Sequence, residues 1–472
     1  MVFSSPLFLT LFLPLLFLIY WLSRENLRNY IVVFFSILFY AWGEPKAVFC
    51  MLGMIFFNFY LGLALERKIE KQRVLDSKIV PSSRFLLSIG VITNLFLLFI
   101  YKYLNFSIEN INYIFSTAIN IPGINLPIGI SFYCFQCLSY LVDIYRKQIK
   151  AQHNLLQFTL YISFFPQLVA GPIVRYVDIV KDLSNRSINI DNWYFGLQRF
   201  AVGLAKKVLI ADPMGKIADG IFNTPTNDLS TGWAWIGVFC YTLQIFFDFS
   251  GYSDMAIGLG RVFNFKLLEN FNLPYSASSI QEFWRRWHIS LSSWFRDYLY
   301  IPLGGSRISP VRTIVNVWIV FLLCGLWHGS SWTFVAWGAW QGLGLMVERI
   351  GLSKILKTVP YLFSNLYVWL FSMFGWVLFR SDNFDYAGEF YRLLFGIGKL
   401  NFYDCPALFS LIRGGDIFVA IVGFILCYPA VNNWFSARKN TISVAVLSLI
   451  VFFTAYLFAV TSDFSPFIYF RF

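Results

Sequence analysis

Three histidines are spread through 472 residues, His153, His288 and His328, and two of them have the surroundings for chemistry. His328 lies near the end of the apolar run that begins at Ile314, and apolar sequence resumes at once and continues to about Met346. An ionisable group at membrane depth is costly and marks a functional site by default. Imidazole titrates near neutrality, and burial disfavours its charged form. A neutral ring at His328 can take a proton from a hydroxyl, which is general-base chemistry. A hydrogen bond between packed helices would equally account for it. Gly325, Gly329, Ser330 and Ser331 beside it let helices approach closely or break beside a cavity.

The second cluster is QEFWRRWHISLSSWFRDYLYIPLGG, residues 281–305. Trp284, Trp287, Leu291, Trp294 and Tyr298 recur at spacings of 3, 4, 3 and 4, which predicts one apolar stripe on a helix. Trp and Arg together predict that this helix lies at a membrane interface. Arg285, Arg286 and Arg296, with Trp284 among them and His288 at the border of the stripe, would attract an anionic cofactor at a cytoplasmic mouth. A purely structural interfacial helix is the other reading.

Two further segments combine polar groups with apolar runs. FDFSGYSDMAIG (247–258) holds Asp248 and Asp254, with no histidine or third acid close in sequence. A helix break or a supporting role is expected there, and no metal site. FFPQLVAGPIVRY (164–176) holds Pro166, Gly171 and Pro172, which do not fit one straight helix and predict a re-entrant turn with Arg175 at the cytoplasmic boundary. His153 follows Lys150 in a polar loop and reads as solvated.

The elements that position these residues are membrane helices. The chain is 58% hydrophobic and 13% charged, against about 25% charged in a soluble domain. Its apolar blocks have the length that spans hydrocarbon, roughly 15–25 residues, and lack the alternation of barrel strands. The fold class is therefore an all-α polytopic membrane protein. About 11–12 spans are expected, near 6–22, 30–43, 46–65, 84–103, 124–145, 194–211, 232–249, 312–328, 331–348, 361–380, 414–432 and 441–460. Segments 155–173 and 279–303 should be embedded but irregular. No cleavable signal peptide is evident, and residues 1–460 are expected to form a single integral domain.

The net charge of +12 resides between the apolar blocks, where it orients helices and meets anionic lipid rather than nucleic acid. The basic segment Glu66–Arg84 belongs in the cytoplasm, which places the N-terminus outside. Arg146, Lys147 and Lys150 return inside, and Arg438 and Lys439 before the last span place the tail 461–472 outside. The seven cysteines form no zinc pattern and are expected as free thiols.

Read together, these segments resemble the membrane-bound O-acyltransferase (MBOAT) superfamily. The likeness is to its bacterial branch, which acetylates exported alginate or peptidoglycan. It is carried by FYAWGEP (39–45), VAGPIVRY (169–176), FDFSGYSDMAIG, FWRRWHISLSSWFRDYLYIPLGG (283–305), LWHGSSWTFVAWG (326–338) and SPFIYFRF (465–472). The resemblance implies a ring of tilted helices around a thinned centre crossed by a tunnel. It implies that His328 is the catalytic histidine, that His288 is the second polar position on the cytoplasmic side, and that acetyl-CoA is the donor. Acetyl-CoA is a substrate here; no permanently bound cofactor is implied. The donor phosphates would suit Arg285, Arg286 and Arg296. The tail motif FIYF resembles that of the small companion protein of teichoic acid D-alanylation, which implies that Tyr469 carries the acyl group. An exported SGNH-type or similar periplasmic acetyltransferase would then complete transfer to the polysaccharide, since this chain shows no GxSxG motif. Competing readings are acylation of a lipid or protein, a transporter, and a scaffold of a polysaccharide-export complex. The expected location is the bacterial inner membrane.

Overall fold

A computed structural model describes residues 2–74, 81–184, 187–397, 406–430, 442–461 and 467–468. The regular structure among them is helical, with no β-strand. The chain divides into two compact units, Met1–Phe200 with Met255–Leu268, and Ala201–Asp254 with Glu269–Phe472.

In the first unit, α1 (Phe8–Leu22), α2 (Arg28–Gly43), α3 (Ala47–Val74), α4 (Ser83–Phe115), α5 (Ile130–Tyr145) and α6 (Leu155–Ser163) follow in order. Phe12 and Phe39 converge on Phe165, at ring separations of 5.7 and 5.5 Å. Asn58 of α3 and Asn94 of α4, both buried, exchange two amide hydrogen bonds of 3.0 and 2.8 Å. Each amide thereby meets its polar needs between apolar helices. Glu66 of α3 accepts from the Ala151 N–H at 3.1 Å and from His153 Nε2 at 2.9 Å. The His153 side chain is 71% exposed, as a solvated loop histidine should be.

α4 extends past the apolar run that suggested its end near residue 103. Nothing in 104–115 breaks a helix. The stop is Ser116, which takes a left-handed conformation at φ 50°. The re-entrant segment is irregular as expected: after α6 come a short helix, Phe165–Leu168, then a turn and irregular chain to Arg175, whose guanidinium pairs with Asp178 at 2.8 Å.

α7 (Ile190–Ala205) and α9 (Thr231–Val262) contribute residues to both units. In the second unit, α7 widens into a π-turn at Lys206–Ala211 and continues as α8 (Asp212–Phe222). The widening adjoins Pro213, which has no N–H to give to the helical ladder. The break expected within 247–258 does not exist, because α9 runs straight through it. Gly251 serves packing instead: a Cβ there would meet the Gly203 carbonyl oxygen at 2.8 Å.

The rest of the second unit includes α10 (Ile280–Arg286), α11 (Ile289–Phe295), α12 (Pro310–His328), α13 (Trp332–Val347), α14 (Tyr361–Arg380), α15 (Gly414–Leu426) and α16 (Ile442–Thr461). α12 starts at a capping Ser309 whose Oγ accepts from the Arg312 N–H at 3.1 Å, with Pro310 at the first helical position. It folds back on α13 through Gly329–Ser331. Gly325 and Gly338 make the crossing tight, since a Cβ on either would collide with a carbonyl of the facing helix, Phe334 or Phe321.

Five helices among the described residues are long and apolar enough to cross a membrane: Ala47–Lys71, Ser83–Phe115, Pro310–His328, Tyr361–Arg380 and Ile442–Thr461. Only 6% of the apolar window of α16 is buried, so its Phe, Leu and Ile side chains need a lipid solvent. The chain is an all-α, multi-pass membrane protein.

Candidate active site

The two apolar-context histidines meet in the second unit. His328 is the last residue of α12 and is buried, as is His288 between α10 and α11. Their ring centroids lie 6.3 Å apart. Trp327, Trp337 and Phe379 stand edge-to-face around His328 at 5.0, 5.0 and 5.4 Å. Phe249 meets His288 in the same manner at 4.6 Å.

His288 owes its position to a break in what the 3-4-3-4 spacing predicted as one helix. The residue takes φ 43° and ψ 53°, a left-handed conformation uncommon outside glycine and of the strained kind that gathers at functional sites. Residues 270–272 run alongside and satisfy the backbone that the break exposes. The Asn270 carbonyl accepts from the Ile289 N–H at 2.9 Å, and the Arg286 carbonyl accepts from the Asn272 N–H at 2.9 Å. Asn270 Oδ1 accepts from the Ser290 N–H at 3.2 Å, from Ser290 Oγ at 2.8 Å and from His288 Nδ1 at 3.1 Å. A backbone N–H can only donate, which fixes that atom as the amide oxygen. His288 therefore carries its hydrogen on Nδ1, leaving Nε2 as the lone-pair nitrogen of the neutral ring.

The aromatic stripe is also placed differently from expectation. Trp284, Trp287, Leu291 and Trp294 are buried within the protein and form a core face. Trp284 Nε1 donates to Gln341 Oε1 of α13 at 3.2 Å.

On the other side of Trp284 lies a cavity of about 680 Å³. Arg285, Arg296 and Arg349, with one carboxylate, Glu348, and with Tyr300 and Ser306, supply the charged and polar lining, while Trp284, Leu291, Phe321 and Cys324 line its apolar part. The lining stops one helical turn short of both histidines, since Cys324 precedes His328 by four positions and Leu291 follows His288 by three. At 1.5 Å per residue, four positions are about 6 Å along the helix. Trp284 and Phe321, 5.0 Å apart, together with Trp337, 6.0 Å from Trp284, form the layer in between.

Of the arginines singled out in the sequence, Arg285 and Arg296 line this cavity and Arg286 does not. Arg286 is held by Glu282 at 2.6 Å and Ser276 Oγ at 3.0 Å. Arg296 is 61% exposed and forks onto Asp297 at 2.7 and 3.1 Å. Tyr469 lies outside the described residues. Asp248 and Asp254 each pair with a lysine, Lys207 at 2.8 Å and Lys206 at 2.6 Å.

Arg349 and Glu348, at the far end of α13, escaped the sequence reading. The Glu348 carboxylate accepts the Ile280 and Gln281 N–H groups at the start of α10, which fixes the helix that carries Arg285. A signal for Arg349 did exist: a hairpin returns α13 to the side where Arg312 starts α12, so a flanking cation was to be expected there. Asn270 had none, because its partners are residues 18 and 20 positions away.

A buried histidine pair beside an arginine-lined cavity, carried on membrane helices, describes a membrane protein equipped for group transfer. Residues 8–381 match the MBOAT, membrane-bound O-acyltransferase family, and the chain belongs to that family. It is an O-acyltransferase. The chain is 42% identical to the probable alginate O-acetylase AlgI of Pseudomonas aeruginosa, over 84% of this chain and 75% of that protein. It is 37% identical to the protein of the same name from Pseudomonas putida, with both chains covered in full. It is 36% identical to the peptidoglycan O-acetyltransferase of Helicobacter pylori, over 85% of this chain and 81% of the relative.

Proposed function

We propose that this chain moves an acetyl group from acetyl-CoA on the cytoplasmic side to a hydroxyl acceptor, for O-acetylation of an exported cell-envelope polysaccharide of the alginate or peptidoglycan kind. The observation that carries the reading is the pair of buried histidines one turn beyond a cavity lined by Arg285, Arg296 and Arg349. The names of the relatives support acetyl as the group and a polysaccharide as the destination.

In this reading the phosphates of the donor meet the arginines, where charge-assisted hydrogen bonds are strongest. The thioester end passes the Trp284–Phe321 layer towards His328. His328 takes the proton of the incoming hydroxyl as its oxygen attacks the thioester carbonyl. The C–S bond breaks, and the proton leaves with the CoA thiolate as the free thiol. His288, its ring oriented by Asn270 and 6.3 Å from that of His328, supports the transfer. Tyr469 is the proposed first acceptor; a free phenol ionises near pH 10, so a positioned base matters. A periplasmic transferase then moves the acetyl group to the sugar. The protein would sit in the bacterial inner membrane with both termini outside.

The test uses membrane vesicles of the full chain with the partner transferase and radiolabelled acetyl-CoA. His328→Ala should accumulate normally and lose labelled polymer. Label found in lipid, or polymer labelled at the unaltered rate by His328→Ala, would refute the reading.

A further inference from the structure

Lys207, on the π-turn after α7, is buried between two carboxylates, Asp212 Oδ1 at 2.7 Å and Asp248 Oδ1 at 2.8 Å. Asp248 is itself buried, and its second oxygen, Oδ2, accepts the backbone N–H of Ile468 at 2.7 Å. Ile468 is buried, and so is Phe467, whose ring lies 4.9 Å from Tyr252 and 6.2 Å from Phe249. Phe249 is the same ring that stands edge-on against His288.

We infer that Asp248, held in place by Lys207, is a positioning residue that seats Phe467 and Ile468 against Phe249, the ring that meets His288. A buried carboxylate must be paired and hydrogen-bonded on both oxygens, or it is costly. Here one oxygen takes the lysine and the other takes a main-chain N–H of the tail. The bond runs to the backbone and is charge-assisted, so it fixes the register of the tail without regard to side chain. Lys207 holds the carboxylate by its other oxygen. The residue covalently next to this seat is Tyr469, and the inference rests on the proposed reading of that tyrosine as first acceptor.

The test uses full-length protein in detergent and in vesicles. Amide hydrogen exchange at Ile468 reports the seat directly. Asp248→Asn keeps the shape but drops the charge that answers Lys207. Ile468→Pro removes the same bond from the tail side and leaves the buried ion pair intact, while Ile468→Ala keeps the N–H and trims packing. Asp248→Asn should speed exchange at Ile468 by roughly tenfold or more. Polymer acetylation should fall by about 10²-fold in Asp248→Asn and Ile468→Pro, with the KM for acetyl-CoA unchanged. Ile468→Ala should fall less. An Ile468 amide that stays protected in Asp248→Asn overturns the seat, and so does normal acetylation once exchange is fast. Tyr469→Phe separates the two ideas: normal acetylation there would end the carrier reading while exchange at Ile468 still reports on the seat.

Discussion

His328 and His288 lie close together but are held in different ways. His328 ends a membrane helix among aromatic edges, whereas His288 is oriented by an amide oxygen that also holds the backbone of Ser290. In the proposed reading His328 is the base, and removing it should reveal its share of catalysis. We expect His328→Ala to lower acetyl transfer by about 10²–10⁴-fold, with membrane accumulation unchanged by immunoblot. Asn270→Ala should do two things together. It leaves the Ser290 N–H without its acceptor, at about 1–3 kcal/mol of stability, and it frees the His288 tautomer. A melting curve and a transfer assay on the same preparation check both. Arg285→Ala and Arg349→Ala should raise the KM for acetyl-CoA with little change in kcat, the signature of uniform donor binding. A fall in kcat alone would place these side chains away from the donor phosphates.

Among the elements, the α12–α13 hairpin sets the depth of His328, and its tightness depends on which glycine is changed. Gly325→Ala drives a methyl into the Phe334 carbonyl of the facing helix. Overpacking of this kind costs about 1–3 kcal/mol and should move the histidine. Gly342→Ala meets nothing nearer than 3.6 Å and should be neutral in both melting temperature and transfer. Equal effects of the two would show that the hairpin does not govern the site. The hairpin itself was legible from the apolar runs on either side of His328, since the expected 312–328 and 331–348 became 310–328 and 332–347. The irregularity of 279–303 was expected, but its position at His288 was hidden. A single left-handed residue leaves the apolar spacing intact, and the segment that stitches the break lies some eighteen residues upstream. Gly251 misled in the opposite sense, because a packing glycine and a breaking glycine look the same in one sequence.

For the molecule as a whole, apolar block length and the paucity of charge were sufficient for the multi-pass helical class, because lipid leaves a chain few other ways to satisfy its backbone. The quoted motifs carried the family. The cavity was only half legible: Arg285 and Arg296 line it, but Arg349 joins it through tertiary packing. Because its cations include the exposed Arg296, donor affinity should weaken as salt rises, with ionic strength acting on KM more than on kcat.

In the proposed reading, the aromatic surroundings of His328 bear on a problem that thioester chemistry always meets. Water is a competing nucleophile at molar abundance, and the same base that activates a hydroxyl would activate it. Trp327, Trp337 and Phe379 turn ring edges to the imidazole and give it apolar neighbours on those sides. In the proposed reading, fidelity is a matter of keeping that surrounding dry. Phe379→Ala should uncouple the two fates of the acyl group, releasing thiol from acetyl-CoA faster than acetylated polymer is formed.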